Sequence, residues 1–294
     1  MKLRYQFAIA VVVTLVLSHV YAEEPVANEK SPAVPQETSL GKDLSVDEIV
    51  ERANRVAYYQ GRDGSSHVSM TIKDAQGQTR TRKLIILRKD MLPNDAEQEA
   101  EDDSYCGEQK IYAYFTRPAD VNRTTFLVWK YLDKDDDRWI YLPALDLKKR
   151  ISATDKRTSF VGTHFYYEDV SGRNIDADTH ELVETTDNYF VLNNVPEDPK
   201  TVEFSSFKVW IHKETFLPVK TEYYNQEGNA IRVYHALKVE TIQDFPTVTQ
   251  AKMQDLLSGG ETIIEYSKIK YNIDLPDSIF TERYLRNAPR EYLR

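Results

Sequence analysis

From about residue 62 onward the chain abandons helical periodicity and alternates apolar and polar residues in short runs. The stretch HVSMTIKDAQGQTRTRKLIILRK alternates on both sides of a turn at Gly77, which predicts a hairpin. QKIYAYFTRP, TTFLVWKYL and RWIYLP predict three further strands, with Asp133 to Asp137 as a charged turn before the last, and LKKRIS a short one. After residue 178 the pattern resumes through HELVETTDNYFVLNN, TVEFSSFKVWIHKET, PVKTEYYNQEGNAIRVYHALKVETIQ, TVTQAKMQDLL and ETIIEYSKIKYN. Turn signals stand at Asn225 to Gly228 and Ser258 to Gly260. Roughly ten strands joined by turn-sized connections predict one large antiparallel sheet, and a twisted sheet of that width curls.

The inner face of a curled sheet needs a cover, and two segments qualify. LSVDEIVERANRVAYYQ carries a capping box, Ser45 with Glu48, and an apolar stripe through Val46, Ile49, Val50, Ala53, Val56 and Ala57. This predicts an amphipathic helix that stops at Gly61 and Gly64. Residues 152–178 have no clean period and hold Phe160, Phe165, Tyr166 and Tyr167. A short closing helix is expected in PDSIFTERYLR.

Composition matters for what the sheet encloses. The chain holds 19 Tyr, 11 Phe and 3 Trp. In TTFLVWKYLDKDDDRWIYLP both phases of the alternation are bulky: Phe126, Val128, Ile140 and Leu142 on one face, Leu127, Trp129, Trp139 and Tyr141 on the other. Such a sheet is either covered by protein on both faces or covers a ligand on one. Both readings stand, an interior filled by side chains and a ligand cavity.

A net charge of −9 excludes general nucleic-acid binding, which needs a basic face. Against that background Lys148, Lys149, Arg150, Lys156 and Arg157 form a basic island. It reads equally as an edge strand guarded against pairing and as a cavity rim where Arg150 meets an anionic head group. The histidines lack metal-ligand spacing, and nucleophile-elbow, phosphate-loop and Ser-x-x-Lys motifs are missing. No catalytic residue, metal or cofactor is expected, and the chain does not read as an enzyme.

The N-terminus predicts export. Lys2 and Arg4 precede an apolar run from Phe7 to Leu17, and Val20-Tyr21-Ala22 suits cleavage after Ala22. Residues 1–22 are therefore expected to be a signal peptide. The run is shorter than the roughly 20 apolar residues of a membrane span. Residues 23–43, rich in Pro, Glu and Ser, predict a disordered linker. Residues 44–294 predict one domain, with an acidic loop insertion at about 90–107 that holds the single cysteine, Cys106.

FTRPADVNRTTFLVWKY, DDRWIYLPALDLKKRIS and SFVGTHFYYEDV resemble the central signature of the LolA-like outer membrane lipoprotein-sorting proteins, in particular the larger periplasmic relatives associated with RND-type exporters. WIHKETFLPVKTEYYNQEGNAIRVYHALKVETI and YSKIKYNIDLPDSIFTERYL resemble the later strands and closing helix of that family. The resemblance spans about residues 44–287. It implies a mainly β, α+β fold: a half-open antiparallel β-barrel covered by an N-terminal helix and a short lid. It implies a periplasmic carrier of lipid or lipidated cargo between an inner-membrane RND-type exporter and an outer-membrane acceptor. A periplasmic adaptor of such an exporter that holds no ligand is the alternative. Carried over to this chain, the resemblance gives Phe126, Val128, Trp139, Tyr141, Leu142, Phe160 and Phe165 as cavity lining, from both alternation phases. Arg150 is the rim cation, and Gly162 and His164 belong to the lid. Three departures stand out, the first being that the acidic insertion at about 90–107 is extra. Asn122-Arg123-Thr124 replaces Lys-Gly-Thr and implies a different turn shape, and Gly162-Thr163-His164-Phe165 replaces Gly-Ser-Asp-Phe and implies a pH-sensitive cover.

Overall fold

The computed structural model describes residues 44–91 and 107–294. The expected signal peptide, the linker and most of the acidic insertion with Cys106 lie outside the described residues.

The chain opens with helix α1 (Val46–Tyr58), started by the predicted capping box: Ser45 Oγ accepts from Glu48 N, and the Glu48 carboxylate accepts from Ser45 N. Strands β1 (Asp63–Lys73), β2 (Thr79–Asp90), β3 (Gln109–Arg117), β4 (Thr125–Lys130), β5 (Asp137–Leu142) and β6 (Leu147–Ile151) follow as a meander. A crossover over residues 152–177 contains the short helix α2 (Tyr167–Ser171). A second meander runs through β7 (Asp178–Thr185), β8 (Tyr189–Pro196), β9 (Ser206–His212), β10 (Pro218–Tyr224), β11 (Ala230–Ile242), β12 (Phe245–Asp255) and β13 (Gly260–Tyr271). Helix α3 (Arg283–Arg286) lies in the closing segment.

All neighbours pair antiparallel in one 13-stranded sheet of order β6-β5-β4-β3-β2-β1-β13-β12-β11-β10-β9-β8-β7. The edges β6 and β7 do not pair with each other, so the barrel is half open. Some runs read as single strands are hairpins. The turn Thr186 to Asn188 carries Asp187 and Asn188 but neither Gly nor Pro; it closes through Thr186 N donating to Tyr189 O at 2.9 Å. At Arg123 the backbone takes φ +69°, the left-handed conformation that glycine adopts without strain. The turn therefore accepts an arginine in the left-handed region.

The topology explains the cover. Each meander winds outward from or back toward the centre, so the consecutive strands β6 and β7 end at opposite edges. The chain between them has to cross the sheet, and it crosses the inner face.

The two bulky phases are covered twice, by protein. On the outer face of β2 to β5, Ile85, Leu87, Tyr112, Leu127 and Trp139 pack against Leu275, Ile279, Phe280 and Leu285 of the closing segment. Hydrogen bonds hold that segment down: Tyr112 OH to Tyr284 O, Thr125 Oγ1 to Leu285 O and Trp129 Nε1 to Phe280 O, each 2.8 Å. On the inner face Leu84, Ala113, Phe115, Phe126, Val128 and Ile140 pack against Phe160, Phe165 and Tyr167 of the crossover. Helix α1 covers the far end, placing Ile49, Val50 and Ala53 on Leu192 and Ile211. Burying each such aliphatic side chain contributes about 1.5–3 kcal/mol.

Candidate functional site

The crossover fills one half of the inner face completely. Phe160 meets Phe115, Phe126 and Tyr167 at ring-centroid separations of 5.5, 5.4 and 5.6 Å, and Phe126 meets Tyr167 at 5.2 Å. These tilted and edge-on geometries add to the apolar burial.

Past Tyr167 the segment is bound by charge. Arg157 Nη1 lies 3.1 Å from Glu168 Oε2 and 3.4 Å from Asp169 Oδ1. Arg232, at the start of β11, reaches Asp169 Oδ2 at 2.6 Å. Arg173 links Glu168 at 3.4 Å to Asp178 at 2.7 Å, and Lys156 joins Glu168 at 3.3 Å. Burial alone would raise both carboxyls. The surrounding guanidiniums outweigh it and hold Glu168 and Asp169 below the usual carboxylate range. Asp169 Oδ2 also accepts from Tyr166 N at 2.7 Å. The acid pair of the YED motif thus caps α2 and anchors it.

The other half of the inner face is not filled. A cavity of about 340 Å³ lies between β1, the strands β10 to β13, the end of α1 and the crossover. Its apolar wall includes Val56, Met70, Ile111, Val170, Met253 and Ile264. It reaches the surface beside Ala57 and Lys270, both exposed.

Tyrosines dominate its polar groups. Tyr58, Tyr223, Tyr234 and Tyr266 line it, and their hydroxyls have no hydrogen-bond partner among the described residues. Burial raises the pKa of all four, Tyr223 and Tyr266 to about 12, and the other three tyrosines push Tyr58 further up, so the four stand near one another. Tyr271 differs: its hydroxyl meets Thr247 Oγ1 at 2.9 Å and donates to Gln60 Oε1 at 3.2 Å.

The charged groups in the wall are committed. Arg88 donates to the carbonyls of Tyr58, Gln60 and Gly61 at the end of α1 and to Asp90 at 2.7 Å. A cation on these terminal carbonyls also complements the helix dipole. Gln109 Nε2 donates to Tyr58 O at 2.8 Å and to Asp90 Oδ1 at 2.7 Å, which leaves its buried Oε1 unpartnered. Among the described residues no three His, Cys, Asp or Glu side chains converge as a metal site.

The seven residues expected as lining separate on this geometry. Phe165 lines the cavity. Phe126, Val128 and Phe160 belong to the filled half, with Leu142 packed against them at its margin. The crossover rings occupy the space a ligand would need there. Trp139 and Tyr141 point to the outer face, because their phase pairs with Leu127 and Thr125 rather than with Phe126. Arg150 sits on the exposed edge strand β6, ion-paired with Asp137, and does not line the cavity. Gly162 turns the tip of the crossover at φ +76° with open space around it. His164 fastens that tip to β13: its backbone N donates to Thr262 Oγ1 at 3.0 Å, and its Nδ1 lies 2.8 Å from the same oxygen. Burial holds the His164 pKa below its ordinary value, against the pull of Asp255.

Sequence reasoning missed Tyr223, Tyr234, Tyr266 and Arg232. The available signal was a polar atom at an inward position: Arg232 between Ile231 and Val233, and Tyr266 two residues after Ile264.

A family model described as "-like: Uncharacterized protein" matches residues 107–287. A crystal structure of a DUF1329 family protein from Desulfovibrio piger superposes with a TM-score of 0.71 at 28% identity, covering 81% of this chain and 96% of that one. The chain belongs to the DUF1329-like family. An outer membrane lipoprotein-sorting protein domain from Vibrio parahaemolyticus aligns with a TM-score of 0.68 at 27% identity, over 81% of this chain and 97% of that one. A LolA superfamily protein from Nitrosomonas europaea aligns with a TM-score of 0.62 at 21% identity, over 82% of this chain and 100% of that one, and shares the fold. No curated protein matches the chain. This DUF1329-like protein thus has the LolA-like half-open barrel.

Proposed function

We propose that the protein is a periplasmic carrier that shelters an acyl-chain cargo and passes it between an inner-membrane exporter of the RND type and an outer-membrane acceptor. The observation that carries this reading is the cavity, an unfilled apolar space inside an otherwise close-packed inner face. Its volume falls at the lower end of the roughly 300–1,000 Å³ of ligand pockets. Likeness to an outer membrane lipoprotein-sorting domain supports the same reading. In this reading residues 1–22 direct export.

Binding follows from burial, since each methylene taken from water contributes about 0.8 kcal/mol. Loading uses the mouth beside Ala57 and Lys270. The aromatic half of the crossover stays in place during loading, because ring packing and buried ion pairs hold it.

Native mass spectrometry of the purified protein, followed by organic extraction, tests the proposal. A lipid mass that leaves on extraction is expected. A protein that carries none, and takes up none from vesicles, would instead be an adaptor that docks to its exporter empty.

A further inference from the structure

The cavity also narrows the cargo, given the carrier reading on which this step rests. Three features decide it: size, hydrogen-bonding groups and charge.

Size comes first. At about 30 Å³ per water-sized group, the cavity takes roughly eleven such groups. That is room for an oxygen-rich head and the first carbons of one chain, with the rest of the chain lying in the open mouth, and not for two chains side by side. Hydrogen bonding comes second. Four tyrosine hydroxyls from four separate elements, Tyr58 on α1, Tyr223 on β10, Tyr234 on β11 and Tyr266 on β13, meet at one space with no protein partner. A polar group removed from water without a partner is costly, so an apolar cargo alone would leave all four unsatisfied.

Charge comes third. Inside the cavity the cation Arg88 is spent on three carbonyls and Asp90. Arg232, behind the wall, is spent on Asp169 and on His164 O at 3.0 Å. Asp169 itself lines the cavity, where Arg232 and Arg157 outweigh burial and hold its carboxyl below the usual range. A buried phosphate or carboxylate would face this carboxylate, and among the described lining residues the one uncommitted cation is Lys270, at the mouth. Burying an unpaired charge is prohibitive.

We infer that the cavity selects a single-chain lipid whose head is uncharged and rich in oxygen, of the monoacylglycerol type, and that the tyrosine hydroxyls grip its ester and alcohol oxygens. The ester and alcohol oxygens accept from the tyrosine hydroxyls.

Displacement of the fluorescent probe N-phenyl-1-naphthylamine from the full-length, delipidated protein tests this. The competitors are 1-lauroylglycerol, lauroyl-lysophosphatidylglycerol and dilauroylglycerol. The first should displace at a concentration about tenfold or more below the other two, the scale of one or two hydrogen bonds. In the Tyr234→Phe/Tyr266→Phe variant its midpoint should rise by roughly tenfold. The melting temperature should hold, since neither hydroxyl supports the fold. Tyr58→Phe and Tyr223→Phe, on other elements, give the same reading if that variant misfolds. Equal displacement by all three lipids, or no change on losing the hydroxyls, overturns the head-group assignment and leaves the carrier reading standing. Displacement by none of them overturns both.

Discussion

Arg232 and Asp169, far apart in sequence, form an ion pair of 2.6 Å that ties β11 to the crossover helix α2. Arg232 is 1% exposed, stacks 3.7 Å over the Tyr166 ring and also holds His164 O. The contact joins the filled half of the inner face to the wall of the cavity.

Removing one member of a buried pair leaves the other charge uncompensated, at about 3–5 kcal/mol. Arg232→Met should fall near the lower figure, because Arg157 remains 3.4 Å from Asp169. Urea unfolding measures it. Arg232→Met/Asp169→Leu should cost less than the sum of the single variants.

Acid should release the crossover. Glu168 and Asp169 titrate below their ordinary values of 4.5 and 3.8 in the folded protein. Their contribution is whole above those values and is lost as pH falls through the lower folded ones. Stability followed by circular dichroism should drop steeply below about pH 4, and Asp169→Asn should make that limb shallower.

Asp90 works in the opposite sense. Burial pushes its carboxyl up to about 6, against Arg88 and the Gln109 amide. A group raised on folding contributes fully below its unfolded value of 3.8 and loses that contribution as pH rises through about 6. Carbon-detected NMR should find Asp90 titrating near pH 6, and Asp90→Asn should remove that slope from the stability profile.

Gly260 makes room for His164. A Cβ there would stand 2.3 Å from His164 Nε2 and 3.1 Å from Lys73 O. Gly260→Ala should destabilise by roughly 1–3 kcal/mol, the scale of overpacking. Much of that should return in Gly260→Ala/His164→Ala, read by thermal melts.

Aromatic residues on the two halves should respond differently. Phe126, fully buried against Phe160 and Tyr167, should cost about 3–5 kcal/mol on truncation to Ala. Tyr266→Phe removes an unpartnered hydroxyl and should be nearly neutral to folding. Chemical denaturation of both variants checks the contrast.

Local pattern accounts for much of this molecule. The helix start at Ser45 and Glu48, the hairpin about Gly77 and the split of Phe126 and Val128 from Leu127 and Trp139 are all legible in sequence. Each depends on neighbours a few residues away, through capping or the period of two. The turn at Thr186 to Asn188 escaped although Asp187 and Asn188 favour turns, because neither Gly nor Pro interrupts the run there.

What the alternation could not decide is which phase faces inward and where space remains. Phe126 and Tyr266 have the same signature, a bulky ring on an alternating strand. One is sealed by Phe160 and Tyr167, and the other borders a cavity, because the crossover between two edge strands fills only the part of the inner face it passes over. That volume is set by contacts between residues distant in sequence, so it exists only once the sheet is assembled.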